Sequence, residues 1–593
     1  MSNWEIIWFI IRLLGALALF LFGMKYMSEA MQRLAGEKLR NTLATFTSNR
    51  FKAILTGALI TATVQSSSAT TVMVVSFVNA GVLNLSNAIG VIMGANIGTT
   101  ITAWLISLLS IKYNIAALAI PVIGAGFIGI MLRNKKIKNL GEFAIGFGLL
   151  FLGLTFMQDY VKSLNLEQNE SFLQFIASFA ADGHTGLGSL LLFVGIGTLL
   201  TMALQASAAT MALTIVLCSQ GAIPFEIAVA LVMGENIGTT ITANLAATVG
   251  NSAAKQAARS HLIFNLLGVI WVLAIFNFFI KGIDELTITL DGQSPYTSIA
   301  AIPIALSLFH SCFNILNTSV LVWFVPKIEY LSKYMVRRKK DDDDVFKLEY
   351  INAGFVRVDE LAVESAKKEI QVFAKRAVRM YEFIPQLLDL KDTKDYNNLL
   401  KRIEHYEEIS DKMEYEIANY LTKLAAEGGL SAPTATRIRG MLRIVDNLES
   451  IADQNYQLAK MIDLKNDKKI WFTPEIRTHL SEMFEVVRQG LEIMVKNLNM
   501  DYKIVEIKEA LDKENQINDT RNRLRDNHLE DLKNNIYTYQ TGIFYSGMYA
   551  LLEKIGDHII NISEAIVNAK YTKDESLLSN NRTELDEIED EKN

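Results

Sequence analysis

Residues 61–71 read TATVQSSSATT, and residues 201–211, displaced by 140 positions, read TMALQASAATM. The same displacement aligns GANIGTTITA at 94–103 with GENIGTTITA at 234–243. Nineteen of the 47 positions from 57 to 103 are identical at this displacement, without a gap. Gly, Ala, Ser and Thr are common wherever membrane helices pack closely, but shared composition does not preserve register, Asn or Gln. We therefore interpret the two segments as copies of one ancestral unit.

The 593-residue chain divides by composition into an apolar half and a charged half. Residues 1–335 contain successive apolar runs long enough to cross a bilayer, with the two copies among them. Residues 349–570 are rich in charged side chains with apolar positions at helical spacing. A charged linker is predicted over 336–348, and an acidic disordered tail over 571–593. The predicted fold class is all-α, a polytopic membrane domain followed by a helical domain.

Composition and motifs argue against several function classes. The formal net charge is −6, with no basic patch interleaved with aromatic residues, so nucleic acid is not a predicted partner. Cys218 and Cys312 both lie in apolar segments, which argues against a disulfide framework and a thiolate metal site. The sequence has no GxxxxGK[ST] or HExxH pattern and no Ser-His-Asp order, and we do not predict an enzyme.

The charges of the loops predict the sides of the membrane. The loops at 33–52, 133–138 and 327–340 carry an excess of Lys and Arg, which is typical of cytoplasmic loops. The acidic segment 159–186 is predicted to lie outside. Because the charged half follows a basic loop, we predict a cytoplasmic C-terminal domain on a multi-pass protein of the bacterial cytoplasmic membrane, the cell inner membrane.

Two segments are apolar in sum but interrupted midway by small polar residues, as discontinuous helices are. The basic loops all lie on the cytoplasmic side only if 53–80 enters and leaves the bilayer from the cytoplasm and 187–220 enters and leaves from outside. The sequence thus predicts two inverted repeats, at about 40–160 and 180–330, whose re-entrant helical hairpins point toward each other. Alternating access follows from that symmetry.

The interrupted helices provide a predicted anion site. A broken helix exposes backbone N–H groups at the start of its second half, and their partial positive charge suits an oxyanion. The residues predicted to close around a tetrahedral anion are Gln65, Ser66, Ser67, Ser68, Gln205 and Ser207. Neither motif contains Lys or Arg to balance the charge of the anion. This favours a cation that is transported together with it. Alternatively, these serines only fill tight packing and bond to the preceding turn.

Unwound carbonyls and threonine hydroxyls near the motifs suit sodium. The predicted sodium ligands are Thr70, Thr71, Asn96, Thr99, Thr100, Thr210, Glu235, Asn236, Thr239 and Thr240. Glu235 stands where the first copy has Ala95, and a carboxylate inside a membrane is costly without a partner or a function. It binds sodium or a proton, or it is a structural carboxylate at a helix end. The repeated patterns His261-x-x-Phe264-Asn265 and His310-x-x-Phe313-Asn314 are interpreted as packing contacts between helices.

QSSSAT, GANIGTT, GENIGTT and the two HxxFN segments resemble the type II sodium-phosphate cotransporter family over residues 1–330. The resemblance implies symport of sodium and inorganic phosphate through two inverted repeats with Gln-Ser-rich hairpins at the site. The family pattern often repeats the triple serine in both halves, whereas the second motif here reads Gln205-Ala206-Ser207-Ala208. This departure leaves the coupling ratio and the substrate identity open. The alternatives are a phosphate-binding regulator that signals through the helical domain, and a carrier of another oxyanion.

In the charged half, carboxylates stand four residues apart in LESIAD at 448–453 and in LEKIGDHIINISEAI at 552–566. Such a pair puts two oxygen donors on one helix face, which can hold a divalent metal when two helices contribute, although solvated acidic faces are also ordinary. The second segment resembles the signature helix of the PhoU family. The resemblance to that family extends over about 350–570. That resemblance implies a PhoU-like pair of three-helix bundles, a divalent or iron-type metal and a cytoplasmic regulatory partner. The chain is also predicted to form a homo-oligomer. The predicted metal ligands are Glu407, Asp411, Glu449, Asp453, Glu553 and Asp557.

Overall fold

The structure is a computed structural model, which describes residues 3–45, 49–111, 116–164, 174, 178–181, 184–337, 346, 348, 350–351, 359–426 and 432–569. Its contacts divide the chain into two compact units. One unit is Met1–Arg338 with Gly354–Val356, and the other is Lys339–Ala353 with Arg357–Asn593. Most of the predicted linker and all of the predicted acidic tail lie outside the described residues.

Where the structure describes it, the first unit is built of helices with one strand pair of two residues each, β1 (Ala180–Ala181) and β2 (His184–Thr185). The α-helices are α1 Asn3–Thr45, α2 Arg50–Val64, α3 Ser67–Asn79, α4 Leu85–Ile111, α5 Ala116–Met131, α6 Lys135–Ser163, α7 Leu187–Leu204, α8 Ser207–Ser219, α9 Phe225–Gly238, α10 Thr240–Ala247, α11 Ser252–Ala274, α12 Phe276–Asp291, α13 Ile302–Leu321 and α14 Val325–Met335. Short 3-10 helices at Ile299–Ala301 and Val322–Phe324 flank α13.

Among the described residues of this unit, six helical segments are long and apolar enough to cross a membrane. They are Ile7–Leu34, Leu85–Leu108, Lys135–Ser163, Leu187–Leu204, Ser252–Ala274 and Ile299–Met335. Large apolar side chains remain exposed on these and neighbouring helices, as Leu199 and Phe278 illustrate with exposed fractions of 67% and 80%. Such a surface needs an apolar surrounding, because soluble proteins rarely expose large apolar patches. The chain is a multi-pass membrane protein, and the predicted all-α class is confirmed.

Glycines set how closely the repeated helices approach each other. A Cβ on Gly57 of α2 would overlap the carbonyl of Val91 in α4. A Cβ on Gly197 of α7 would overlap the carbonyl of Leu231 in α9, and both of these residues lie 140 positions further along the chain. The first helix of each copy therefore packs against the following GxNIGTT helix in the same register.

The part of the second unit that the structure describes forms six α-helices in two groups of three. The first group is α15 Asp359–Asp389, α16 Thr393–Ala426 and α17 Ala432–Asp467, and the second is α18 Pro474–Asn499, α19 Lys508–Lys533 and α20 Tyr539–Asn568. Within each group every helix packs against the other two, and α17 lies along α20. A 3-10 helix, Tyr502–Ile504, precedes α19. The predicted pair of three-helix bundles is confirmed.

Candidate functional site

Both repeated motifs break a helix at the same position. In the first copy α2 ends at Val64, Gln65 takes the left-handed conformation with φ of 56°, and Ser66 is extended before α3 begins. In the second copy Gln205 has φ of 53° and Ala206 is extended before α8 begins. A left-handed residue other than glycine is uncommon, so its recurrence at the same repeat position marks a shared local design. The course of these segments through a bilayer, and their inverted orientation, stay predictions.

The two breaks line one cavity of about 70 Å³. All six residues predicted to bind the anion lie at its wall, together with Met24, Thr99, Thr102, Ala206 and Ala208. A cavity needs about 10–15 Å³ of such space to hold one water molecule, so this one has room for a small ion. The structure thus brings together two motifs that are 140 residues apart in the chain.

The cavity has the electrostatics of an anion site without fixed charge. Helices α3 and α8 begin at its wall, and the N–H groups of the opening turn of a helix have no acceptors within the helix. Ser66 Oγ accepts a hydrogen bond from the Ala69 amide at 3.2 Å, whereas Ala206 gives α8 no such side-chain cap. No residue lining the cavity carries a formal charge. The helix N-termini are thus the source of positive potential at this wall.

The Gln65 side chain is fixed by a residue that the sequence reasoning missed. Thr102 Oγ1 donates to Gln65 Oε1 at 3.0 Å, and Gln65 Nε2 donates to the Ala62 carbonyl. The signal was available, because Thr102 lies three residues after Thr99 on the same helix face. In the second copy Thr242 Oγ1 donates to the Thr239 carbonyl instead. The two halves of the cavity therefore differ in how their glutamines are held.

Of the ten predicted sodium ligands, the cavity wall holds only Thr99. The threonines at 70, 71, 99, 100, 239 and 240 donate their hydroxyl hydrogens to backbone carbonyls three or four residues earlier, which leaves oxygen lone pairs as acceptors. Thr210 accepts from Thr201 Oγ1 at 2.9 Å, as Thr70 does from Thr61. Asn96, Glu235 and Asn236 are buried elsewhere, in α4 and α9.

The acidic pairs of the second unit form two different environments. Burial raises the pKa of Glu407, and the Asp411 and Asp453 carboxylates raise it further. Burial and the Asp453 carboxylate likewise raise the pKa of Glu449. The Glu553 carboxylate instead accepts a hydrogen bond from Arg521 Nη2 at 2.8 Å. Across the described residues there is no group of three or more His, Cys, Asp and Glu side chains arranged to hold a metal, so the metal site stays a prediction.

We expect Glu407→Gln to slow amide hydrogen exchange in α16 of the full chain at pH 7. A carboxyl group with a raised pKa in the folded state binds more protons folded than unfolded between the two pKa values, so stability falls as the pH rises through that interval. Replacing Glu407 removes this loss of stability. The difference in amide exchange rate between the variant and the wild type should therefore shrink as the pH is lowered toward the ordinary glutamate pKa. Glu416→Gln, an exposed change on the same helix, is the control. Faster exchange in the Glu407 variant would contradict this expectation.

The repeated broken helices and the shared cavity agree with what the comparisons with known proteins show. A family model described as Na+/Pi-cotransporter matches residues 19–159 and 185–308. YqeW of Bacillus subtilis, an uncharacterized protein, is 32% identical over 255 residues, which are 43% of this chain and 78% of YqeW. The chain belongs to the Na+/Pi-cotransporter family.

Other relatives of this Na+/Pi-cotransporter family member have names that refer to phosphate. The putative inorganic phosphate export protein YjbB of Salmonella typhimurium is 26% identical over 380 residues, which are 64% of this chain and 65% of YjbB. The sodium-dependent phosphate transport protein 2A of Rattus norvegicus is 40% identical over 100 residues, 16% of either chain. The match therefore covers just under two thirds of the length of YjbB.

A second family model, the PhoU domain, matches residues 377–462 of this cotransporter-family protein. The predicted PhoU resemblance is thus confirmed. The PhoU-like motif of the sequence lies in the last helix, at 552–566, whereas the match covers parts of α15 and α17 and all of α16.

Proposed function

We propose that this Na+/Pi-cotransporter family member carries inorganic phosphate across the bacterial cytoplasmic membrane by sodium-coupled symport with alternating access. The observation that carries the proposal is the single cavity at which two copies of one broken-helix motif meet. Each copy contributes a helix N-terminus, and neither contributes a formal charge. An anion that is held only by helix dipoles binds more favourably when a cation enters with it. This is the reason for coupling to sodium.

Phosphate would occupy the cavity between the two helix starts. The amides of Ser67 and Ser207 would donate to its oxygens, with the two serine hydroxyls and the Gln65 amide group completing the contacts. The C-terminal turns of α2 and α7 end at the same breaks, and their carbonyls together with Thr99 would suit sodium. If the two copies are inverted repeats, opening to either side requires only that one repeat move against the other around this fixed site.

The direction of flux would follow the gradients of the two ions, since a symporter runs either way. One relative is named for phosphate export, and another is named for sodium-dependent phosphate transport without a direction. The unit that contains the PhoU domain is proposed to lie in the cytoplasm and to regulate transport, because it follows the basic loop at 327–340.

Uptake of labelled phosphate into proteoliposomes containing the full chain tests the proposal. We expect an inward sodium gradient to raise the initial rate by at least about fivefold over a potassium gradient of equal ionic strength, and a sodium ionophore to abolish the difference. Protein-free liposomes are the control. Uptake indifferent to sodium would refute coupling, phosphate binding without uptake would indicate a regulator, and stronger competition by sulfate than by unlabelled phosphate would indicate another oxyanion.

A further inference from the structure

One end of the second unit exposes large apolar side chains. Helix α17 ends there and α20 begins there, at the turns that lead from α17 to α18 and from α19 to α20. The exposed fractions are 76% for Trp471, 74% for Tyr539, 56% for Ile536, 51% for Ile543 and 49% for Leu464. Apolar side chains exposed singly are ordinary, whereas a contiguous group of them marks an interaction site.

Two contacts between α17 and α20 show that the two turns lie at the same end of the unit. A Cβ on Gly547 of α20 would meet the side chain of Met461 in α17. Further along α17, Lys468 Nζ lies 6.0 Å from the centre of the Phe544 ring, which comes earlier in α20. The two helices therefore run antiparallel, and the end of α17 lies beside the start of α20.

The exposed side chains of α17 and α20 lie on the faces that make this contact. Leu464 follows Met461 by three residues, and Ile543 precedes Gly547 by four, so each shares a helix face with its contact residue. Tyr539 lies one turn before Ile543 on the same face. The three side chains thus form one apolar strip along two adjacent helices.

The two turns that extend this strip have the same backbone geometry. In each, a left-handed residue follows the helix, and the next amide donates to the carbonyl five residues earlier, which closes the helix end. The left-handed residues are Lys469 and Asn535, each with φ of 54°, and the amide bonds run from Ile470 to Lys465 and from Ile536 to Asp531, each at 3.0 Å. Trp471 and Ile536 are therefore carried at the tips of two closed turns.

The tips of the two turns are basic. Residues 468–471 read KKIW and residues 533–536 read KNNI, which gives three exposed lysines and no acid. Burial raises the pKa of Tyr396 on α16, and the Asp463 and Asp467 carboxylates raise it further, so these two acids lie beside α16. The other acids of the adjoining helix turns are Glu475 and Glu530. The charge at the tips is therefore complementary to an anionic surface.

We propose that this end of the second unit docks on the surface of an anionic lipid bilayer. Trp and Tyr favour the interface between headgroups and acyl chains, where Trp471 and Tyr539 would lie. Lysines are attracted by anionic headgroups while their apolar stems stay beside the acyl chains. Two exposed tips fit a flat surface, whereas an amphipathic partner helix needs a groove. Because the same chain spans a membrane, lipid is present at a high effective concentration for this unit.

Spin labels on the purified full chain, one copy in each nanodisc, test the proposed docking. A background with Cys218→Ala and Cys312→Ala receives one labelled cysteine, either Ile536→Cys at a tip or Tyr415→Cys as the control. Tyr415 is 64% exposed, but it lies 19 residues after Tyr396 on α16, roughly 28 Å along the helix. The measurement is the collision rate of each label with a water-soluble nickel complex.

In phosphatidylglycerol nanodiscs we expect the collision rate at position 536 to be at least about threefold lower than in neutral detergent micelles, and the rate at 415 to be unchanged. Trp471→Ser combined with Tyr539→Ser, both on the surface, should restore the rate at 536. An equal rate at 536 in nanodiscs and micelles would overturn the docking, as would equal protection at 415. Protection at 536 that persists in micelles would instead show contact between copies of the chain and would also overturn it. The readout does not involve phosphate transport, so it is independent of sodium coupling.

Discussion

Sodium-driven phosphate uptake by a Ser67→Ala variant is expected to fall by about 10- to 100-fold. Ser67 opens α3 at the cavity wall and is 4% exposed, so its hydroxyl would contact a bound anion with little competition from water. A hydrogen bond to a charged group contributes about 1.5–3 kcal/mol, and each 1.4 kcal/mol is about a factor of ten. Initial rates of labelled phosphate uptake at fixed sodium, corrected for reconstituted protein, measure the loss. Ser207→Ala should have a similar effect.

The repeat itself supplies matched controls for this variant. Ser68→Ala gives the first copy the residue that the second copy has at Ala208, and Ser66→Ala gives it the residue at Ala206. We expect both to keep most of the uptake. Ser66→Ala also removes the cap on the Ala69 amide, which costs about 1 kcal/mol of stability. A Ser68→Ala variant as inactive as Ser67→Ala would show that the position retained in both copies has no special role, and would contradict the proposed site.

The second large effect is expected for Gly197→Ala, which should lower the unfolding temperature of the purified chain by roughly 2–12 °C or prevent its folding. A Cβ at this position would overlap the Leu231 carbonyl oxygen, so α7 and α9 would have to separate. Overpacking of this kind typically costs about 1–3 kcal/mol, and backbone atoms cannot rotate away as a flexible side chain can. Thermal unfolding followed by size-exclusion recovery measures the effect.

Gly195→Ala provides the control within the same helix, two residues earlier. A Cβ there would meet no atom within 4 Å, and alanine is a better helix residue than glycine by about 0.5–1 kcal/mol. We expect this variant to be as stable as the wild type or more stable. Gly57→Ala, the equivalent change in the first copy, should reproduce the Gly197→Ala result. If Gly57→Ala and Gly197→Ala were both tolerated, the close helix contact in the two copies would be wrong.

Much of the candidate site could be predicted from the sequence because its parts are local. The glutamine and serine at the centre of each motif mark a helix break, and the structure puts the break there in both copies. The helices of the second unit could be predicted in the same way, because apolar spacing and polar interruptions indicate helices within short stretches of sequence. The spacing shows that Thr102 shares a helix face with Thr99, but it does not show the contact with Gln65, because those two residues lie 37 positions apart.

Other features of the chain also depend on partners from distant segments. Both HxxFN patterns are predicted to form packing contacts between helices, and the first bonds across helices, where Asn96 Nδ2 donates to Asn265 Oδ1 at 2.7 Å. Arg521, which pairs with Glu553, lies 32 residues away in another helix and gives no sign of this role in the sequence. The predicted metal pairs therefore look alike in sequence but differ in their surroundings.

The sequence by itself determined that this chain contains two copies of one broken-helix unit, because backbone conformation and helix ends depend on neighbours within a few residues. The repeated glycines likewise encode close helix contacts within each copy. Only the tertiary structure decided that the two breaks share one cavity, and that Asn265 accepts a hydrogen bond from Asn96 whereas Asn314 Oδ1 has no partner among the described residues. These features arise from packing between segments far apart in the chain, where the free energy of a contact depends on which side chains it excludes from water and which it leaves unpaired.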